Sequence, residues 1–312
     1  MNQKIIFVTP PGVHLLDING PAHIFYEAKE YGANIDLHFV SPIDNDMIVS
    51  SAGLKFYDLN SYHDYTLTDE DFIIVPGISF SYLLDRDLLN GFKSFFEWLR
   101  LQNEIGVTIC SVCTGTFLLA ESGVLKNKSC TTHWKRIVTF KEKYPNINIK
   151  ENRLFVIDDN ILTSAGVSSG IDLALYILEK KFSTKLAVDV AKEAVIYFRR
   201  SESDPQLSIY LKYRNHLEER IHRAQEFIID NIGKQFNQAD IAEHVHMSTR
   251  NLTRLFKKTT GITIHNYTQN LRIERALQLL ADKNKIEMVA SECGFKSSNQ
   301  LRQIIGKHKK SL

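Results

Sequence analysis

Four cysteines in 312 residues, at 110, 113, 130 and 293, are too few for the disulfide framework of a small secreted scaffold. Cys110 and Cys113 form one C-x-x-C pair. No second pair and no histidine cluster stands at ligand spacing, so no zinc centre is expected. No apolar run approaches the roughly 18 residues of a membrane span. The opening MNQKIIFVTPPG has an apolar run too short for a secretory core and suited to a first strand. Low-complexity tracts are absent, and Lys+Arg at 38 against Asp+Glu at 36 leave little net charge. These absences point to a cytoplasmic chain with neither metal nor cofactor. Its 44% hydrophobic residues suffice for real cores, and its length suits two domains.

The near-neutral total hides an uneven distribution. Residues 217–312 hold 16 Lys+Arg against 10 Asp+Glu, while residues 1–216 hold 22 against 26. A basic half is expected where phosphates must be met. The same half contains one pattern written twice, QADIAEHVHMSTRNLTRLFKKTTG from Gln238 and KIEMVASECGFKSSNQLRQIIGKHKK from Lys285. Ile241-Ala242 matches Val289-Ala290, Val245 matches Cys293, Leu252 matches Leu301 and Phe256 matches Ile305. In each copy a short helix with apolar residues at i, i+1 and i+4 precedes a turn and a second helix. In the first copy Ser248 is the expected N-cap, with Leu252, Leu255 and Phe256 facing inward. The outward face then carries Arg250, Thr253, Arg254, Lys257 and Lys258. The weaker counterparts are Ser298, Asn299, Arg302 and Gln303. A helix so decorated fits the major groove, where arginine can bond both acceptors of a guanine edge.

From about Ile221 onward the chain resembles the AraC-type DNA-binding domain, two helix-turn-helix units joined by a long helix. LRIERALQLLADKNK (Leu271–Lys285) is similar to that family's linker helix and ASECGF (Ala290–Phe295) to the start of its second unit. The resemblance implies double-stranded DNA as partner. The family's usual segment beyond the last helix has no counterpart before Leu312. Gly306 also falls inside that helix at a cost of about 1 kcal/mol relative to alanine, so the second unit is expected to dock more weakly.

The first two hundred residues read as α/β. Lys4–Thr9, Ile35–Ser41, Phe72–Val75 and Val107–Ser111 are β-branched runs of strand length. Helical patterns follow at Pro21–Tyr31, Asp87–Leu101 and Thr114–Ser122. Such alternation predicts a mostly parallel sheet sandwiched by helices, with sites at the carboxyl ends of its strands. In TICSVCTGTFLLAESG a strand runs through Cys113 directly into a helix, the layout of a nucleophile elbow. The helix N-terminus is expected to lower the thiol pKa. His133, in CTTHWKR, is expected to approach the sulfur from the neighbouring strand end. Asp17, placed in the loop after the first strand, can offer it a carboxyl. Buried packing is the competing reading for Cys113, and the expected role of Cys110 and Cys130.

This half resembles the PfpI-like branch of the class I glutamine amidotransferase superfamily. The resemblance rests on GVHLLDINGPAHIF, IIVPG, SVCTGTFLLAESGVL, TTHW and TSAGVSSGIDLALYILE. It implies a flavodoxin-like fold with Cys113 as elbow cysteine, His133 as its histidine and Asp17 as the acid near the sulfur. The amides of Gly77 and Thr114 would be oxyanion donors. Ile78 stands where the family often has a second glycine, which predicts a restricted loop and imperfect donors. Both halves in this order resemble GlxA-type transcriptional regulators.

The sequence thus predicts an α/β sensor and dimerisation domain over residues 1–198, a linker over 199–215 and an all-α DNA-binding domain over 216–312. The expected protein is a homodimeric transcription regulator, an activator responding to a small-molecule effector and meeting RNA polymerase. Two alternatives stay open. One is a cysteine-dependent hydrolase or hydratase of a small amide- or nitrile-like compound, with Cys113 as nucleophile. The other is a redox sensor acting through a Cys113 sulfenate.

Overall fold

The computed structural model describes residues 2–45, 47–151, 153–196, 213, 216–281 and 284–310. The chain divides into two compact units, Met1–Gln206 and Leu207–Leu312. The linker expected over 199–215 lies outside the described residues except for Tyr213.

The strands of the first unit are β1 Gln3–Val8, β2 Ile35–Ser41, β3 Met47–Val49, β4 Lys55–Tyr57, β5 Asn60–Ser61 and β6 Phe72–Val75, then β7 Thr108–Val112, β8 Ser129–Cys130, β9 Asn148–Ile149, β10 Phe155–Asp158 and β11 Ile161–Ser164. Seven of them form one sheet in the order β10-β11-β7-β6-β1-β2-β5. Every pairing in it is parallel except β10 with β11. The two central strands FIIV and TICSV are buried at every residue, because helices cover both faces. Alternate residues feed two cores. Ile5, Phe7, Ile74 and Val112 pack against α1 (Leu15–Glu30), α7 (Ser168–Lys181) and α8 (Thr184–Glu193). Ile6, Val8, Ile73, Val75 and Ile109 pack on the other side against α4 (Lys93–Glu104) and α5 (Gly115–Ser122).

Two sequence expectations need correction. The helix expected from Pro21 starts at Leu15 and carries Pro21 inside it, so Asp17 lies in the first helical turn and not in a loop. A proline there forfeits one amide. Burial of Ile18, Ala22 and Phe25 along one face outweighs that loss. The helix expected over Asp87–Leu101 is broken at fully buried Phe92, which ends α3 (Arg86–Gly91) and caps α4.

The described residues of the second unit form helices joined by short loops. Glu219–Asp230 leads, then Gln238–His244 and Thr249–Thr260 make the first helix-turn-helix. The linker helix Ile264–Ala281 follows, and Ile286–Glu292 with Ser298–Lys310 make the second. Asn237 opens the first helix-turn-helix with a capping box. Its side chain accepts from the Ala239 and Asp240 amides, and the Asn237 amide in turn donates to the Asp240 carboxylate. There are two hydrophobic cores. Ile241, Val245, Leu252 and Phe256 share one with Ile264, Tyr267 and Leu271 of the linker helix. Val289, Ala290, Cys293 and Leu301 share the other with Ile273 and Ala276.

Candidate functional sites: a buried thiol elbow and paired recognition helices

Cys113 links β7 to α5 with φ at +59°, a left-handed conformation that costs a non-glycine residue about 1–3 kcal/mol. Its neighbours hold it there. The Cys113 amide donates to the Ser164 carbonyl at 3.0 Å, and the Thr132 hydroxyl donates to the Cys113 carbonyl at 2.8 Å. A Cβ added to Gly115 would lie 2.2 Å from the Val75 carbonyl oxygen, so only glycine lets α5 start against β6.

Asp17 completes the centre from α1. It is fully buried, and its Oδ1 accepts from the Val167 amide at 2.7 Å. Its Oδ2 has no hydrogen-bond partner of good geometry among the described residues. Gly77 packs tightly over this corner. A Cβ there would come within 2.5 Å of Asp17 Oδ2, 2.9 Å of Thr114 Oγ1 and 3.0 Å of Cys113 Cβ. Next to it, the Thr114 hydroxyl accepts from the Ile78 amide at 3.0 Å and donates to the Ile78 carbonyl at 2.9 Å. Ile78 is itself fully buried and bridges to Val13.

Burial decides the electrostatics. It pushes the Cys113 thiol far up, and the charge of Asp17 pushes the same way. The amide and hydroxyl of Thr114 oppose them and lose. Burial also raises Asp17, against the Val167 amide, His14, Cys113 and Gly77. The helix start therefore does not lower the thiol as the sequence suggested. One turn of helix offers partial charge, whereas desolvation penalises the whole thiolate. The arrangement is a thiol that burial keeps protonated beside a carboxyl whose pKa burial raises above the usual aspartate range. The amide of Thr114 acts on the Cys113 thiol and that of Gly77 on Asp17, each lowering its neighbour's pKa against the larger effect of burial.

His133 is half-buried. Its Nδ1 accepts from the Lys135 amide at 3.3 Å, capping the short turn Trp134–Arg136. A neutral ring that accepts at Nδ1 carries its proton on Nε2 and offers a donor, not a base. Burial lowers its pKa, helped by Lys135, Arg136 and His14. The groups acting on the thiol are Asp17 and Thr114.

Three residues at the site escaped sequence reasoning. His14 precedes α1, donates its amide to the Gly77 carbonyl at 2.9 Å and bears on both Asp17 and His133. Val167, at φ +52°, supplies the amide to Asp17. Arg136 lies with its guanidinium carbon 3.6 Å from the Phe80 ring centre. His14 and Val167 lay within GVHLLD and TSAGVSSG, but nothing in those strings marks them as meeting. Among the described residues no group of His, Cys, Asp and Glu could hold a metal ion.

The second site is the outer face of the helix-turn-helix pair. Ser248 accepts from the Asn251 amide at 3.3 Å and starts the helix Thr249–Thr260, as its sequence predicts. Leu252 and Phe256 are fully buried, while Arg250, Arg254, Lys257 and Lys258 are exposed. Thr253 is half-buried. Its hydroxyl donates to the Thr249 and Arg250 carbonyls, which leaves its methyl group outward. In the second unit Asn299, Arg302 and Gln303 are exposed and Ser298 is half-buried. Arg302 donates to Asn299 at 3.3 Å and faces Glu287 at 3.7 Å, exposed contacts weak enough to exchange for DNA. No described helix is long and apolar enough to cross a membrane.

Fold and sites together define a class: a DNA-binding helix-turn-helix regulator that carries an α/β domain with a buried elbow cysteine. Residues 3–180 match the DJ-1/PfpI family, and residues 241–311 match a helix-turn-helix domain. The chain belongs to the DJ-1/PfpI family, in the form joined to an AraC-type reader. It is 31% identical over 305 residues to the HTH-type transcriptional regulator CdhR of Pseudomonas aeruginosa, covering 95% of this chain and 86% of that one. The HTH-type transcriptional regulator GbdR of the same species is 32% identical over 66% of this chain and 56% of its own length. A crystal structure described as a transcriptional regulator from Vibrio parahaemolyticus superposes with a TM-score of 0.55 at 22% identity. It covers 62% of this chain and all of that one, a likeness of fold.

Proposed function

We propose that this protein is a sequence-specific transcription regulator whose DJ-1/PfpI domain binds a small-molecule effector at the mouth of the Cys113 elbow and thereby changes DNA affinity. The observation that carries the reading is the contrast between the two sites. The reader presents Arg250, Arg254, Lys257 and Lys258 to solvent opposite a buried Leu252 and Phe256. The elbow buries its thiol, which burial holds well above the usual thiol range, beside a buried carboxyl. Turnover needs a thiol that ionises readily, and burial works against that here. The hydrolase reading therefore ranks second. Lys135 and Arg136 act on His133 and show no carboxylate partner among the described residues, a positive group suited to a polar ligand.

An effector acts by binding two states of the protein unequally. A homodimer would bring four recognition helices to DNA and raise affinity through effective concentration. Contact with RNA polymerase and a cytoplasmic setting complete the proposal, with residues 1–198 as sensor, 199–215 as linker and 216–312 as reader. The test is selection of bound duplexes from random DNA by the full chain, with and without a metabolite extract. It is repeated with Cys113→Ala, alongside a hydrolysis assay on the same compounds. Support would be specific binding with an effector response altered in the variant. Equal responses in both proteins would return Cys113 to packing, and turnover lost with Cys113→Ala would make the protein an enzyme.

A further inference from the structure

The two helix-turn-helix units are joined by more than the linker helix. That helix gives Ile264, Tyr267 and Leu271 to the first core and Ile273 and Ala276 to the second. Arg272 lies between the two sets. Its Nε donates to the Ile232 carbonyl at 3.0 Å and its Nη2 to the Lys234 carbonyl at 2.8 Å. Both carbonyls belong to the loop that follows the leading helix Glu219–Asp230, and Ile232 is itself buried in the first core.

The same loop rests on the second unit. The Gln235 amide group donates to the Gly294 carbonyl at 3.1 Å, in the turn between the two helices of that unit. Two glycines allow the approach. A Cβ on Gly294, where φ is +70°, would lie 2.7 Å from the Ile232 carbonyl oxygen and 2.8 Å from the Arg272 guanidinium. A Cβ on Gly233 would lie 2.6 Å from the Glu292 carbonyl oxygen. Backbone meets backbone here, with a planar five-donor guanidinium fastening the joint.

We propose that the Ile232–Gln235 loop and Arg272 form a strut that fixes the angle between the two recognition helices, making Arg272 a positioning residue for DNA spacing. The inference rests on the DNA-reading role proposed above. A single helix leaves two small cores free to twist and bend about its axis. A second attachment, displaced from that axis, removes the freedom before DNA is met. Successive major grooves on one face of DNA recur about every 34–36 Å, roughly 10 base pairs. A pair of helices held in advance at one angle gains from the second groove without the entropy cost of ordering it on binding. It also rejects sites with the wrong separation.

The test uses the full chain and duplexes selected by it from random DNA. Each duplex is compared with versions in which the second patch is scrambled or the separation is changed by one base pair. Wild type should lose roughly tenfold or more in affinity on either change. Arg272→Met should keep its affinity for the duplex with the second patch scrambled. On the intact duplex it should lose most of the advantage, and it should tolerate the altered spacing within about threefold. Arg272→Lys, which cannot span both carbonyls, should resemble Arg272→Met. Unchanged discrimination in a folded Arg272→Met protein would overturn the strut. If that variant does not fold, Gln235→Ala, which removes only the contact with the second unit, decides by the same readout. Failure of wild type to select any duplex would instead refute the DNA-reading role.

Discussion

Replacing Asp17 by asparagine should remove a pH dependence from the stability of the DJ-1/PfpI unit. The carboxyl is fully buried and its pKa is raised, chiefly by that burial. Below about pH 4 the group is protonated in both the folded and the unfolded chain, and its preference for the neutral form costs nothing. As pH rises through the ordinary aspartate range the unfolded chain releases the proton while the folded chain keeps it. The native state then loses stability at up to about 1.4 kcal/mol per pH unit until the folded pKa is passed. Asparagine at 17 has no proton to release, so the variant lacks this slope. Its carbonyl can still accept from the Val167 amide, which keeps the site assembled.

Both tryptophans, Trp98 and Trp134, lie in the first unit, so their fluorescence follows its unfolding selectively. Urea titrations at several pH values between about 4 and 8 would be compared for wild type and Asp17→Asn. The stability difference, wild type minus variant, should fall as pH rises above the ordinary aspartate pKa. A difference that stays flat, or that grows in favour of wild type, would mean that burial does not raise the Asp17 pKa.

Cys113 should react with iodoacetamide at pH 7 more slowly than an unperturbed thiol, of which about 3% is thiolate there, because burial holds its pKa up. Peptide mass spectrometry of the native protein checks this, and faster-than-free alkylation would restore the activated-nucleophile reading. Arg254→Ala should cost about 1–3 kcal/mol on a selected duplex and relax base preference at one position. Equal weakening on all sequences in a binding titration would make it a phosphate contact. Asn237→Ala breaks the capping box and should destabilise the helical unit by about 1 kcal/mol, read from thermal melts of the second unit alone or by hydrogen exchange. Gly115→Ala, whose Cβ would collide with the Val75 carbonyl oxygen, should prevent the first unit from reaching its native tryptophan emission.

Much of the molecule is already written in local sequence. The runs FIIV and TICSV, apolar or β-branched at every position but Ser111, require a sheet covered on both faces, because no one-sided strand buries every residue. Period-3.6 patterns around Ile241–Phe256 and Val289–Ile305 require two small helix pairs, and Ser248 starts its helix where the cap rule puts it. The elbow at Cys113 also followed from the string, since a strand meeting Cys-Thr-Gly and a helix leaves little room for another turn. Tertiary structure alone decided what that elbow is like. Asp17 reaches it only because α1 starts six residues before the proline, and Val167 only because α7 returns across the sheet. A helix terminus is visible in sequence, but the depth of burial that overrides it depends on everything packed around the thiol. Arg272 makes the same point in the second unit. Its neighbours in sequence announce a linker helix, whereas its bonds to Ile232 and Lys234 span about forty positions and exist only after both cores have formed.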